Sequence, residues 1–186
     1  MSGPPFWGKY RGTVSDATDP MRQGRVKAKV PDVLGDQESG WAMPCVPVGG
    51  SQTGFFGVPK VGAGVWIEFE HGDPDYPVWA GCWRGGPAEF PSDILATPEP
   101  QKQLMLITQG GHSLLLDDTP GLGGITLKTS GGQKITLKQT GVEITDGMGA
   151  KISIGPAGIE IDDGKGGSVK LTGPQVSVNS GALEVT

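Results

Sequence analysis

The sequence lacks long hydrophobic runs and has few segments suited to helices. No apolar stretch approaches the ~18 residues expected of a transmembrane helix, and the opening MSGPPFWGKY lacks the basic and then apolar segments of a signal peptide. Glycine and proline, which destabilise helix interiors, contribute 33 and 16 of the 186 residues. These features argue against a membrane span and a helical bundle. We expect an all-β protein that is made and assembled in the cytoplasm.

The sequence also lacks a surplus of basic residues and has only two cysteines. Its 15 Lys and Arg against 20 Asp and Glu give a formal net charge of −5. Binding to nucleic acid relies on neutralising phosphates with excess Lys and Arg, so we predict no nucleic-acid partner. Cys45 and Cys82 are predicted to be buried thiols rather than a disulfide, because disulfides are rare in cytoplasmic proteins.

Aromatic residues are absent from the second half of the chain. All twelve Phe, Trp and Tyr residues lie between Phe6 and Phe90. The segment PAEFPSDILATPEPQK, which includes Phe90, contains four prolines, and these favour a stiff, extended connection. We assign an N-terminal domain to 1–90, a proline-rich linker to 91–103 and a repetitive C-terminal domain to 104–186.

The C-terminal domain contains eight four-residue units in which apolar and polar residues alternate. They run from ITLK at Ile125 to LEVT at Leu183, with starts spaced by 10 or 7 residues and mostly glycine-rich turns between them. Two less regular units, LMLIT at Leu104 and HSLLLD at His112, precede them. Period-2 alternation is typical of strands with one buried face. The sequence therefore predicts ten short strands in succession.

The apolar positions of these units form a stripe that needs a cover. In a single-chain meander the stripe would leave one apolar face exposed, which favours aggregation. The residues alone allow either an intertwined oligomer or a single-chain solenoid. We favour the oligomer, because seven to ten residues are too few for a whole solenoid turn. The residues predicted to meet on a common axis are Ile125, Leu127, Ile135, Leu137, Val142, Ile144, Ile152, Ile154, Ile159, Ile161, Val169, Leu171, Val176 and Val178.

The N-terminal domain has the sequence pattern of a small β-barrel. About five strand-like segments occur in ~80 residues, with turn-forming loops between them and no long helical stretch. Their sequences are GKYRGTVSDA, GRVKAKVPDV, WAMPCVPV, AGVWIEFEHG and PVWAGCWRG. This pattern predicts a five-stranded barrel of the oligonucleotide/oligosaccharide-binding (OB) type.

Candidate chemistry is concentrated around the sequence EHGDPDYP. His71, Asp73 and Asp75 could chelate a metal with help from Glu68 or Glu70, and the carboxylates could also act as a hydrolase pair. Asp-Pro and Asp-x-Pro sequences more often build a tight turn. We therefore predict a turn, with no metal, no cofactor and no enzymatic activity.

A basic strand and the tryptophans are the remaining candidates for a binding surface. Arg22, Arg25, Lys27 and Lys29 alternate with apolar residues instead of exposed stacking aromatics. We interpret them as a solvated strand face or a subunit contact. The five tryptophans are predicted to serve the barrel core or an interface: Trp7, Trp41, Trp66, Trp79 and Trp83.

Three runs in the N-terminal domain resemble a known family. They are DPMRQGRVKAKVPDV, WAMPCVPVGG and GFFGVPKVGAGVWIEFEHGDPDYPVWAGCWRG. Together they resemble the N-terminal barrel of the family of phage baseplate assembly protein V, phage central spikes and type VI VgrG proteins. The most specific part is the loop with Gly72, Asp73, Pro74, Asp75 and Pro77. The repetitive C-terminal domain is similar to that family's triple-stranded β-helix, which an intertwined homotrimer forms.

The resemblance implies the spike of a contractile injection particle, which punctures a target envelope. It implies a homotrimer, a separate hub protein at the OB end, other baseplate components, and transient contact with the target membrane. Several spikes of this family end in a His-x-His motif that binds iron at the tip, whereas no His or Cys follows His112 in this sequence. The resemblance therefore implies a separate PAAR-type tip protein, which we expect to sit on Leu183 and Val185. A monomeric module that binds carbohydrate or nucleic acid through its OB fold, with a β-solenoid tail, is the alternative. A cell-wall hydrolase is a third reading.

Overall fold

The chain folds almost entirely into β-strands, as predicted, and it divides into two units after Pro91. A computed structural model describes residues 4–185. The segment assigned to the linker contains a short helix, Ser92–Leu95, and a helical turn, Pro100–Lys102. None of the helices within 4–185 is long and apolar enough to cross a membrane.

The first unit is built on a five-stranded sheet. The strands of this unit are β1 (Tyr10–Asp16), β2 (Lys27–Lys29), β3 (Met43–Pro44), β4 (Gly49–Gly50), β5 (Thr53–Gly54), β6 (Gly64–Phe69) and β7 (Pro77–Trp83), and a helical turn, α1 (Pro31–Leu34), follows β2. The sheet has the order β2-β1-β6-β7-β3, antiparallel except for the parallel pair β3–β7, and its strands correspond to the five predicted segments. An additional hairpin, β4–β5, was not predicted.

The sheet curls into a half-barrel around a small apolar core. Register shifts interrupt the β1–β2 pair after Val14 and the β6–β7 pair after Val65, and such bulges bend and twist a strand. Alternate residues of β1 and β6 point into the core. The buried residues are Val14, Val26, Ala28, Val30, Ala42, Val65, Ile67, Phe69 and Trp79. The predicted OB-type architecture is confirmed.

The second unit is a ten-stranded antiparallel meander, in which each strand pairs with its neighbours in sequence. All ten predicted units form strands. After a short helix, α2 (Ser92–Leu95), come β8 (Gln103–Ile107), β9 (Ser113–Asp117), β10 (Gly124–Lys128), β11 (Lys134–Lys138), β12 (Gly141–Thr145), β13 (Lys151–Gly155), β14 (Gly158–Asp162), β15 (Ser168–Thr172), β16 (Gln175–Val178) and β17 (Leu183–Val185).

The alternating spacing of 10 and 7 residues arises from two kinds of turn on opposite edges of the sheet. Five-residue turns at 129–133, 146–150 and 163–167 lie on one edge, which we call the long-turn edge. Two-residue turns at 139–140, 156–157 and 173–174 lie on the other, which we call the short-turn edge. Two five-residue strands with one turn of each kind make a 17-residue repeat. The chain passes through this repeat three times between 124 and 174.

Glycine begins each of these three repeats for a steric reason. At Gly141 and Gly158, φ is 142° and 122°, a region that residues with a Cβ rarely adopt. A Cβ added there would lie 2.0 Å from the carbonyl oxygen of Ile154 and 1.9 Å from that of Leu171. The backbones on the short-turn edge therefore approach too closely for any other residue.

Candidate trimer interface

One face of the meander is an uninterrupted apolar surface, which we call the apolar face. Antiparallel register places apolar residues opposite one another from strand to strand, as in Ile125–Leu137 and Val142–Ile154. The result is two parallel columns of side chains, to which all fourteen predicted axial residues belong. Ten of them are between 37% and 47% exposed in the single chain. All fourteen residues therefore share one face, which stays largely exposed within the described part of the chain. That they meet on a common axis remains a prediction.

Four leucines that were not predicted extend the apolar face. Leu104 and Leu106 of β8 pair with Leu116 and Leu114 of β9, which continue the two columns from β10. Leu104 and Leu106 are 64% and 54% exposed. The alternation was present in these segments but obscured, because Met105 and Leu115 make the opposite face apolar there as well.

The two residues predicted to receive a tip protein, Leu183 and Val185, belong to β17, the last strand of the meander. Leu183 continues one column by pairing with Val178, and its side chain is 59% exposed. The backbone of Val185 pairs with Val176, whereas its side chain lies outside the described part of the chain. The role of both residues as a platform remains a prediction.

From β10 onwards, the opposite face of the meander is polar and suited to water. Lys134 lies 3.7 Å from Glu143, and Lys151 and Lys170 lie 3.4 and 2.9 Å from the carboxylate of Glu160. Hydrogen bonds from Lys170 and Lys151 hold the pKa of the Glu160 carboxyl below its usual range. Exposed ion pairs of this kind add little stability. The contrast between the two faces shows which one requires a partner.

The GDPDYP loop forms a tight turn between β6 and β7. The backbone N–H groups of Asp73 and Tyr76 donate to the carbonyls of Glu70 and Asp73, each at 3.0 Å. Asp73 Oδ1 accepts from the N–H of Asp75 at 3.0 Å. Gly72 has φ of 75° and its carbonyl accepts from the N–H of Phe6 at 2.8 Å. Pro74 lies within this turn.

The turn thus has a structural role, as predicted. Its last residue, Pro77, is buried at the start of β7. Within 4–185, no three His, Cys, Asp or Glu side chains are grouped so that they could hold a metal ion.

The basic strand is neutralised in part by a carboxylate from the preceding loop. Asp19, whose side chain is 4% exposed, accepts from Arg25 Nη2 at 2.6 Å and from Arg25 Nε at 3.1 Å. The N–H groups of Met21 and Gln23 also donate to it, at 3.0 and 2.7 Å. These bonds, chiefly the one from the Arg25 guanidinium, hold the pKa of the Asp19 carboxyl well below its usual range.

We expect Asp19→Asn to lower the midpoint of thermal unfolding of the first unit by several degrees at neutral pH. A carboxyl whose pKa is lower in the folded chain than in the unfolded chain stabilises the fold fully at pH values above its unfolded pKa of ~3.9. This stabilisation is lost as the pH falls towards the folded pKa. The difference between wild type and Asp19→Asn should therefore shrink below about pH 4. Asp36→Asn, at an exposed position, is the control. A difference in midpoint between wild type and Asp19→Asn that does not change with pH would contradict the role given to the Asp19 carboxylate.

The tryptophans are divided between the core and the surface. Trp79 is 7% exposed and its Nε1 donates to the carbonyl of Gly24 at 3.1 Å. Trp66 and Trp83 flank the Arg11 guanidinium at 5.8 and 5.1 Å, and Trp41 is half-buried. Trp7 is 66% exposed. Trp79 accordingly belongs to the core, and an interface role for the other four tryptophans remains a prediction.

The two cysteines are free thiols, but the prediction that they are buried is wrong. Both Cys45 and Cys82 are exposed. Cys45 directly follows the edge strand β3, and Cys82 is the penultimate residue of β7. Both therefore lie at the margin of the sheet rather than in its core.

Comparison with known families gives a match for each unit. Residues 10–83 match the family model of the type VI secretion system/phage-baseplate injector OB domain. Residues 103–157 and 148–184 match that of the phage baseplate V C-terminal trimerisation domain. No curated protein matches the sequence significantly.

The trimerisation domain coincides with the meander that carries the apolar face. Its matches begin with β8, so they include the leucines that extend this face. The match supports a homotrimer, and the apolar face is the surface of this unit that stays largely exposed in one chain. An injector OB domain followed by a trimerisation domain accounts for most of the sequence, and the chain therefore belongs to the phage baseplate V family of spike proteins, as a structural component of a baseplate.

Proposed function

We propose that three copies of the chain form the central spike of a contractile injection particle, which punctures the target envelope when the sheath contracts. The observation that supports this proposal is the apolar face, whose two columns run from β8 to β16 and of which one continues to Leu183 in β17. Three such faces turned towards one axis would exclude water from a narrow core. Its aliphatic side chains suit a core too narrow for aromatic rings.

A spike of this form transmits force without unfolding. Each strand from β9 to β16 is hydrogen-bonded on both sides, so no inner strand can leave without breaking two ladders. Ten strands stacked at ~4.8 Å give a shaft about 45 Å long. We infer that intertwined packing of the chains about the axis adds resistance to shear, because displacing one chain exposes the apolar faces of the other two.

The proposed spike has different partners at its two ends. The resemblance to spike proteins favours a separate hub protein at the OB domain and a PAAR-type tip protein at β17, where Leu183 is exposed. Other baseplate components would surround the hub, and the spike would contact the target membrane only during puncture. The role is mechanical rather than catalytic.

The mass of the full chain in solution tests the proposal. We expect about three times 19.3 kDa, or about 58 kDa, by light scattering behind a sizing column. The trimer should also survive SDS without boiling, because its core excludes water and detergent. A mass of 19.3 kDa would contradict the spike and favour a monomeric binding module.

A further inference from the structure

The two edges of the meander differ, and a three-fold arrangement brings unlike edges together. Rotation about a three-fold axis carries each chain onto the next, so every contact joins two different surfaces. If three meanders surround one axis, the long-turn edge of one chain faces the short-turn edge of the next. This inference rests on the trimer proposed above and concerns the contacts between the edges of neighbouring chains.

The short-turn edge carries a groove on the polar side of the sheet. The groove spans β11 to β15 and has a volume of about 590 Å³. Gly141, Gly155 and Gly158 line it at the short-turn edge. The turn residues Pro156 and Ala157 form its rim.

The floor of this groove includes a buried threonine. Thr136 lines the groove and is only 8% exposed. Its Oγ1 is enclosed by the described residues and makes no hydrogen bond to any of them. An occupant of the groove would therefore pack over Thr136 without reaching its hydroxyl.

The long-turn edge forms a ridge that matches this groove. A Cβ on Gly147 would lie 2.8 Å from the carbonyl carbon of Gly132, and one on Gly164 would lie 2.6 Å from that of Gly149. Successive long turns therefore touch through their backbones. Met148 projects from the middle of this ridge with 85% of its surface exposed.

The ridge and the groove also lie at the same height along the shaft. Rotation about the shaft axis leaves heights unchanged. The turn that carries Met148 joins β12 to β13, and the groove spans β11 to β15. We propose that the long-turn edge of each chain docks into the short-turn groove of the next chain, with Met148 inserted. Methionine suits this role because its flexible side chain fills irregular spaces.

Cysteine cross-linking of the full chain tests this docking. In a background of Cys45→Ser and Cys82→Ser, the pair Met148→Cys and Ala157→Cys places one thiol on each edge. We expect oxidation or a short bismaleimide to join most chains into a product of three chains, seen on a denaturing gel without reducing agent after boiling has dissociated the uncross-linked trimer. The single variants Met148→Cys and Ala157→Cys are the controls. Neither should cross-link, because like edges do not meet.

The outcomes separate this docking from the trimer itself. Light scattering is recorded on each variant before cross-linking. A trimer whose double variant gives no three-chain product overturns the docking alone, as does a two-chain product from Met148→Cys by itself. A monomer overturns the proposed trimer and the docking with it.

Discussion

Ile144→Asp is expected to abolish the trimer. Ile144 lies in the middle of the apolar face, paired with Ile135 and Ile152, and is 41% exposed in one chain. In the proposed spike the substitution brings three carboxylates close to the three-fold axis, in a core from which water is excluded. Each buried ion without a partner costs several kcal/mol, and the three like charges also repel one another. Light scattering should therefore give the mass of one chain.

The neighbouring substitution Thr145→Asp is the matched control. Thr145 lies on the polar face between Lys134 and Lys151. The equivalent position one repeat later is already an aspartate, Asp162. We expect this variant to remain trimeric. A trimeric Ile144→Asp protein would show that the apolar face does not meet on the axis.

Deleting one repeat is expected to give a shorter spike that is still trimeric. Removing residues 143–159 joins Val142 to Glu160 and creates the strand GVEID, which keeps the alternation of β12. Both apolar columns then continue without a break, and each edge keeps its own kind of turn. The shaft should lose two strands, or about 10 Å. Light scattering should show a trimer, and small-angle scattering should show the shorter length.

A deletion that is one residue smaller is expected to be far more damaging. Removing residues 143–158 joins Val142 to Ile159 and creates GVIEID. A shift of one residue moves side chains to the opposite face of a sheet. Glu160 would therefore enter the apolar face and Ile161 would leave it. We expect loss of the trimer and aggregation. Equal trimer yields from the two deletions would contradict a core built on strict alternation.

Much of the second unit could be predicted because its signal is local. Alternation within four residues fixes which side chains share a face, whatever the strand later pairs with. Every unit from Ile125 onwards therefore became a strand, and wherever the structure describes the side chains, the expected ones lie on one face. The signal weakened at β8 and β9, where Met105 and Leu115 make both faces apolar, and there the core leucines were missed.

Features that depend on remote contacts could not be predicted. The spacing of DPMRQGR does not reveal that Asp19 accepts from Arg25 and from two backbone N–H groups, because that requires the folded loop. The exposure of Cys45 and Cys82 was likewise misjudged, since a cysteine is buried or exposed according to where its strand lies in the sheet. The β4–β5 hairpin contains only two residues in each strand, too few to show any alternation.

The amino-acid pattern alone is enough to show a series of short strands with one apolar face, since side-chain direction within a strand depends only on neighbouring residues. The tertiary structure decided how the strands pair, and so aligned the apolar residues into two unbroken columns. It also sorted the turns, with the five-residue turns on one edge and the two-residue turns on the other. That sorting follows from the antiparallel meander, in which every second turn returns to the same edge. The groove, the ridge and the burial of Thr136 exist only after this pairing, because each is built from residues that distant strands bring together.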